Sequence, residues 1–289
     1  MAEHYSRPAS VPAARPGPDR HDWQKGAPRL GCLDVPAVAE VPAKTPVVLL
    51  HGFTQTGRSW LPVVDATQHL APGLRFVLPD APGHGLSAPI VAGLWESADL
   101  LAAVVPETAD WGGYSMGGRM ALHVALAHPS KVRRLVLIST TAGIEGPLER
   151  LARQRADEAL ADRAEAEGTE RFLEQWLSQP LFSTLAPEQA GLGARRENAA
   201  AGLASSLRYA GTGAQEPLWD RLAELRQREV PVLVMAGALD SKYSRLAHRL
   251  ARAIGPTASL EIVAGAGHAC HLERPAEVGA ALAAFCTEA

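Results

Sequence analysis

Gly113-Tyr114-Ser115-Met116-Gly117-Gly118-Arg119 is the stretch on which the reading of this chain turns. It has the form G-x-S-x-G, with a short apolar segment before it and a helix-forming run, Met120 to His128, after it. That setting puts Ser115 on a sharp strand-to-helix turn, with its hydroxyl pushed out over the end of a sheet. Glycines are needed on both sides because a Cβ there would clash with the neighbouring strand or helix. The pattern alone is common by chance, so its meaning depends on what surrounds it.

Three further features make it specific. Val47-Val48-Leu49-Leu50 reads as a buried strand and ends in His51-Gly52-Phe53. Val230-Pro231-Val232-Leu233-Val234-Met235-Ala236-Gly237 reads as another, followed closely by Asp240. Leu260-Glu261-Ile262-Val263 is a late strand running into Gly265-Ala266-Gly267-His268. Ser115, Asp240 and His268 therefore follow one another in chain order, each just beyond the C-terminal end of a predicted strand. This is the order of the α/β-hydrolase triad, and it differs from the orders in chymotrypsin and subtilisin. In that fold the backbone N–H groups at Phe53 and at Met116, the residue after the serine, would form an oxyanion hole.

At 289 residues the chain has room for one large α/β domain with an insertion. A net charge of −3 gives no reason to expect nucleic acid or a membrane surface as partner. Cys32, Cys270 and Cys286 are scattered without metal spacing and suit a reducing cytoplasm, so no metal site is expected. No apolar run approaches the roughly 20 residues of a membrane span, and the N-terminus lacks the apolar region of a signal peptide. The expectation is a cytoplasmic protein; its oligomeric state is left open.

Residues 1–45 are rich in Pro, Ala and mixed charge, reading as a mobile tail over 1–20 and a possible short edge strand within Leu30 to Val41. From residue 46 strands and helices alternate, which implies a mostly parallel sheet with helices on both faces. Predicted strands lie at 46–50, 75–78, 134–138, 230–236 and 259–263, and predicted helices at 95–105, 243–254 and 275–286. One strand reads poorly: Thr108-Ala109-Asp110-Trp111-Gly112 should carry the serine yet lacks a Val/Ile run. Between Ser139 and Val230 the chain leaves the sheet for a largely helical insertion, with one or two helices over Glu149 to Phe172. The expected division is a core of 46–142 and 216–289 and a lid of 143–215 inserted after the sixth strand. Such a lid covers the triad, excludes water and carries selectivity.

The chain resembles a narrower family, the menaquinone-pathway α/β-hydrolases that make 2-succinyl-6-hydroxy-2,4-cyclohexadiene-1-carboxylate (SHCHC synthases). The resemblance spans roughly residues 46 to 286. It rests on His51-Gly52-Phe53-Thr54, Asp80-Ala81-Pro82-Gly83-His84-Gly85 and the Ser115 stretch with its Arg119. It rests also on Arg153-Gln154-Arg155-Ala156-Asp157, Trp176-Leu177-Ser178-Gln179-Pro180-Leu181-Phe182 and Gly237-Ala238-Leu239-Asp240-Ser241-Lys242. The HG and PGHG pieces are common to many hydrolases; the arginine after the elbow, the RQR and the W-x-x-Q-P-x-F are sharper. The long N-terminal tail departs from the family pattern.

The resemblance implies a small polycarboxylate substrate, for which arginine's planar, bidentate fork is suited. Arg119 would fall in the first turn of the helix after Ser115, where a cation opposes the helix dipole at up to about 1 kcal/mol, so its presence there suggests a use for the charge. Arg153 would be a second carboxylate ligand, although Arg150, Arg153 and Asp157 could instead pair on a solvent face. Trp176 and Phe182 would line the pocket or pack the lid onto the core, and Tyr114 would be a wall or a hydrogen-bond donor. The implied reaction is an elimination of pyruvate with no cofactor, in which the Ser115–His268–Asp240 triad acts as base. His51, His84, His123, His128 and His271 are expected to be structural or solvated. Two rivals remain. A carboxylesterase or C–C bond hydrolase would use Ser115 as a covalent nucleophile. A non-catalytic ligand-binding module would keep its activity without Ser115.

Overall fold

The computed structural model describes residues 29–39 and 45–288; the tail expected over residues 1–20 lies outside them. Among the described residues, seven strands form one sheet: β1 (Cys32–Val35), β2 (Val47–Leu50), β3 (Phe76–Pro79), β4 (Ala109–Tyr114), β5 (Val132–Ile138), β6 (Val232–Gly237) and β7 (Ala258–Val263). Their spatial order is β1-β3-β2-β4-β5-β6-β7. β1 pairs antiparallel with β3, and every other pairing is parallel. The possible edge strand is therefore present as β1, at the position where a Pro-flanked segment is tolerated.

Helices α1 (Leu61–Leu70), α2 (Leu94–Ala102) and α3 (Met116–Ala127) alternate with the first strands. α4 (Pro147–Leu177), α5 (Leu192–Arg195), α6 (Ala200–Ala210) and α7 (Ala223–Gln227) follow β5. α8 (Ser241–Ile254), α9 (Cys270–Glu273) and α10 (Pro275–Thr287) complete the chain. The sheet's two faces bury separate cores because side chains alternate along each strand. Val48 and Leu50 of β2 pack with Leu101 of α2, Met120 of α3 and Leu250 of α8. Val47 and Leu49 point the other way, into the cluster holding Val63 of α1 and Leu282 of α10. The prediction missed α1, which buries Val63, Val64 and Thr67.

The poorly read strand is β4, two residues longer at its C-terminal end than predicted. It lies between β2 and β5, with all six residues buried. Packing on both faces overrides its propensity. Asp110 is buried there because Arg133 of β5 donates to it from Nε at 2.7 Å and also from Nη2. The insertion leaves the sheet at Ile138, the predicted place; by the count of described strands this is after the fifth. Its long helix α4 is two segments meeting at Gly168, whose φ of 78° breaks the helix. Phe172 of α4 packs with Leu203 and Leu207 of α6 and with Phe53 of the loop after β2. Burying a side chain such as Phe172 stabilises this docking by roughly 1.5–3 kcal/mol.

Two buried histidines fasten the loops at the C-terminal ends of β2 and β3. His51 donates from Nδ1 to Gly52 O at 2.8 Å, and its Nε2 accepts the Ala81 N–H at 3.0 Å. His84 donates from Nδ1 to Pro82 O at 3.1 Å, and its Nε2 accepts the Thr54 N–H at 3.3 Å. Both rings are thereby held neutral, since a proton on Nε2 would face a backbone donor. Burial pushes His51 and His123 down to about 4 and His84 to about 3, and pushes His271 well below its ordinary value.

Unfolded imidazoles take up protons near pH 6.5, whereas these folded ones do not until near pH 4 or below. Their stabilising contribution is thus complete above about pH 6.5 and declines as the pH falls, by up to about 1.4 kcal/mol per pH unit for each ring. The thermal unfolding midpoint should drop steeply between about pH 6.5 and 4.5; a midpoint flat across that range would contradict the neutral-histidine account.

Candidate active site

β4 ends at Tyr114 and α3 begins at Met116, leaving Ser115 between them at φ 52°, ψ −107°. A Cβ on Gly113 would overlap the Gly117 carbonyl, and one on Gly117 would overlap the Leu50 carbonyl. The glycines thus let the start of α3 rest against the ends of β2 and β4. A residue in so sparse a backbone region costs about 1–3 kcal/mol and needs outside support. Here the Ser115 N–H donates to Ile138 O at 2.9 Å, and Ser115 O accepts from Thr140 Oγ1 at 2.8 Å.

The three polar side chains expected to converge do so. His268 Nδ1 lies 2.9 Å from Asp240 Oδ2, and its Nε2 lies 3.3 Å from Ser115 Oγ. A carboxylate can only accept, so Nδ1 carries the proton and Nε2 is the acceptor facing the serine. Asp240 caps α8, accepting from the Tyr243 N–H at 3.0 Å. Burial pushes its carboxyl up, but the bonds from His268 and Tyr243 outweigh this and hold it below the ordinary value. The backbone around His268 is fixed by buried Glu273, whose two oxygens accept from the Gly267 N–H at 2.8 Å and the Ala269 N–H at 3.2 Å.

Neither the Phe53 N–H, in the turn after β2, nor the Met116 N–H, at the first position of α3, has a hydrogen-bond acceptor among the described residues. The first N–H groups of a helix have no intrahelical acceptor, and they carry the positive end of its dipole. Two free donors beside Ser115 are the arrangement that receives a developing oxyanion. Phe53 is followed by Thr54 at φ 67°, an outlier for a β-branched residue.

Ser115 opens onto a cavity of about 200 Å³ between the sheet and the insertion. One wall is aromatic. Trp176 lies edge-on to Phe53, with ring centroids 4.9 Å apart, and Phe182 lies 5.9 Å from Trp176 and 6.2 Å from His268. Trp176 and Phe182 therefore both line the cavity and dock the insertion. Tyr114 also lines it, with its ring 5.2 Å from that of His268.

The remaining wall is cationic. Arg119 is buried and makes only long contacts, to Gly211 O at 3.4 Å and Gln215 Oε1 at 3.5 Å. Arg195 of α5 is buried too, donating to Ala190 O at 2.7 Å and to Thr54 Oγ1. Neither has a carboxylate partner among the described residues. Burial pushes both guanidinium groups down to about 10. Arg153 differs: it lines the same cavity but is paired with Asp157 at 2.7 Å. The i,i+4 pair foreseen from the sequence thus forms, yet Asp157 is buried and the pair faces inward.

Arg195 and Glu273 were missed in the sequence. Arg195 sits beside Arg196, which pairs with Glu170 at the surface, and nothing in the local pattern separates the two. The signal available for Glu273 was its spacing, five residues after His268 at the end of the short helix α9. Of the histidines set aside, His51, His84, His123 and His271 are buried, and His128 pairs with Asp99 at 2.7 Å.

The model of the alpha/beta hydrolase family matches residues 47–281. The 2-succinyl-6-hydroxy-2,4-cyclohexadiene-1-carboxylate synthase of Enterobacter sp. (strain 638) is 35% identical over 244 residues, covering 82% of this chain and 90% of that protein. Among solved structures, MenH from S. aureus superposes with a TM-score of 0.79 at 28% identity, over 88% of this chain and 97% of that one. A thermophilic esterase from Thermogutta terrifontis, in a malate-bound structure, does so with a TM-score of 0.70 at 25% identity, over 89% and 92%. A serine elbow, a Ser–His–Asp constellation and these similarities agree: the chain belongs to the alpha/beta hydrolase family and, within it, to the family of the 2-succinyl-6-hydroxy-2,4-cyclohexadiene-1-carboxylate synthases.

Proposed function

We propose that the protein is a carbon–oxygen lyase of menaquinone biosynthesis. It eliminates pyruvate from 2-succinyl-5-enolpyruvyl-6-hydroxy-3-cyclohexene-1-carboxylate to give 2-succinyl-6-hydroxy-2,4-cyclohexadiene-1-carboxylate. The observation that carries this reading is the pair of buried guanidinium groups, Arg119 and Arg195, facing Ser115's cavity with no ion-pair partner among the described residues; Asp157, the buried acid near Arg119, is taken up by Arg153 and the Gly213 N–H. A buried unpaired charge is strongly unfavourable, and a bound carboxylate supplies the missing partner. A site for neutral esters has no need of it. The names borne by the Enterobacter and S. aureus relatives support the same reading.

The geometry supports the following course. His268 Nε2 takes the Ser115 Oγ proton, and Asp240 holds the imidazole tautomer and stabilises its positive charge. Ser115 Oγ removes the proton from the ring carbon alpha to the succinyl ketone. The electron pair passes into a dienolate whose oxygen is met by the Phe53 and Met116 N–H groups, each such donor typically being worth about 10² to 10³ in rate. As the ketone reforms, the ring double bond shifts and the bond to the enolpyruvyl oxygen breaks. The proton held on His268 is available to the departing enolate, which becomes pyruvate. Arg119, Arg195 and Arg153 hold the substrate's carboxylates, and Trp176 and Phe182 cover the ring as parts of a lid. No step requires a metal or cofactor. The buried Cys270 and Cys286 and the exposed Cys32 form no disulfide, which is compatible with a cytoplasmic enzyme.

Supplied with this substrate, the protein should release pyruvate and form the conjugated diene in equal amounts. Ser115→Ala should lower kcat at least about 10³-fold. Turnover of simple aryl esters with no diene above the spontaneous rate would move the protein to the esterases.

Arg119→Met separates binding from folding. It removes a buried charge, so the thermal unfolding midpoint should hold or rise by a few degrees. Losing a charge-assisted contact should lower kcat/KM about 10- to 100-fold. An unchanged kcat/KM would remove Arg119 from the substrate site.

A further inference from the structure

We propose that Asn198, in the insertion between α5 and α6, is a positioning residue that holds the oxyanion turn at Phe53–Thr54 in its working shape. The proposal rests on the Phe53 N–H being an oxyanion donor. Asn198 is buried, and its amide makes three hydrogen bonds to backbone. Nδ2 donates to Thr54 O at 2.8 Å and to Arg195 O at 2.9 Å, and Oδ1 accepts the Gly85 N–H at 2.9 Å. The opposite amide orientation would set a donor against the Gly85 N–H, so the pattern fixes which atom is which. The Asn198 carbonyl is itself held by Thr169 Oγ1 of α4 at 3.0 Å. One side chain thus joins the turn after β2, the PGHG turn after β3, and the segment of the insertion that carries Arg195.

The turn needs such a clamp because Thr54 sits at φ 67°, where a β-branched residue does not rest unaided. Its N–H is held by His84 Nε2 at 3.3 Å and its hydroxyl by Arg195. Its carbonyl, which sets the twist of the turn, is held by Asn198. The peptide plane just before this residue joins Phe53 to Thr54, and the plane carrying the Phe53 N–H lies one further back, across Phe53 Cα. Relaxation of Thr54 toward an ordinary backbone conformation would turn that N–H away from the oxygen it must meet. Asn198 does not itself line the cavity; it reaches the site only through backbone, at the Thr54 turn and at the Arg195 carbonyl. The insertion therefore supports the oxyanion turn from outside as well as covering the site.

Asn198→Ala and Asn198→Asp test this. The Asp variant keeps shape and the Gly85 bond but loses both donated bonds; it serves if the Ala variant fails to fold. An oxyanion donor displaced by a fraction of an ångström to 1 Å should lower kcat about 10- to 100-fold in either variant. KM should stay within about threefold, and the folded state should persist at the assay temperature. A kcat within twofold of wild type would overturn the proposal. A loss carried mainly by KM would also overturn it, because Asn198 would then act on substrate binding through Arg195. If the wild-type protein yields no diene but hydrolyses aryl esters, the same ratios are read on the ester, which needs the same hole. Failure of the elimination reading and failure of this proposal then give different results.

Discussion

Three pieces of backbone meet at Gly113 and Gly117 with no room for a side chain: the end of β2, the end of β4 and the first turn of α3. That contact determines the rest of the site. It holds Ser115 in its strained conformation and brings Oγ to His268 Nε2. It also sets the first turn of α3, with Met116, against the segment that leads from β2 to Phe53, and both residues line the cavity. The chemistry is thus a property of the sheet's C-terminal edge, where β4, β6 and β7 deliver serine, aspartate and histidine from widely separated parts of the chain.

On that frame the insertion imposes an electrostatic choice. Several arginines elsewhere have acids: Arg208 is met by Glu158, Asp162 and Glu165, and Arg133 by Asp110. The chain does not lack carboxylates; among the described residues it pairs none with Arg119 or Arg195, and Asp157, the acid whose charge reaches Arg119, is bonded to Arg153. Two desolvated cations near a base are unfavourable for folding and useful for recognition of a polyanion, a trade expected at a functional site. Arg153, already compensated by Asp157, is anchored and adds positive potential with less strain.

The core of this arrangement could be read before any coordinates. G-x-S-x-G, the HG turn and the Asp and His after later strands are local patterns whose geometry follows from chain direction. The strands of Val, Leu and Ile were legible for the same reason. β4 was not, because Ala, Asp and Gly disfavour strands and Trp111 alone does not outweigh them; only neighbours on both sides make the segment a strand. α1 was hidden by its short apolar stripe and by Pro62. Arg195 and Asn198 were illegible because their roles depend on which of several adjacent polar residues turns inward, a matter of tertiary packing. Arg153 shows the intermediate case. Spacing announced its partner Asp157, but only the docking of α4 on α6 decided that the pair would face inward, with Asp157 buried and Arg153 half-buried.

The central claim is that Ser115 and His268 remove a carbon-bound proton and that Ser115 does not attack the substrate's carbonyl carbon. Single-turnover kinetics with substrate deuterated at the ring carbon alpha to the succinyl ketone test it most directly. A primary isotope effect on diene formation, with no solvent ¹⁸O in either product's carboxylates, is the result predicted. A rate indifferent to deuterium, with one ¹⁸O incorporated from water per turnover, would contradict it and identify the serine as a hydrolytic nucleophile.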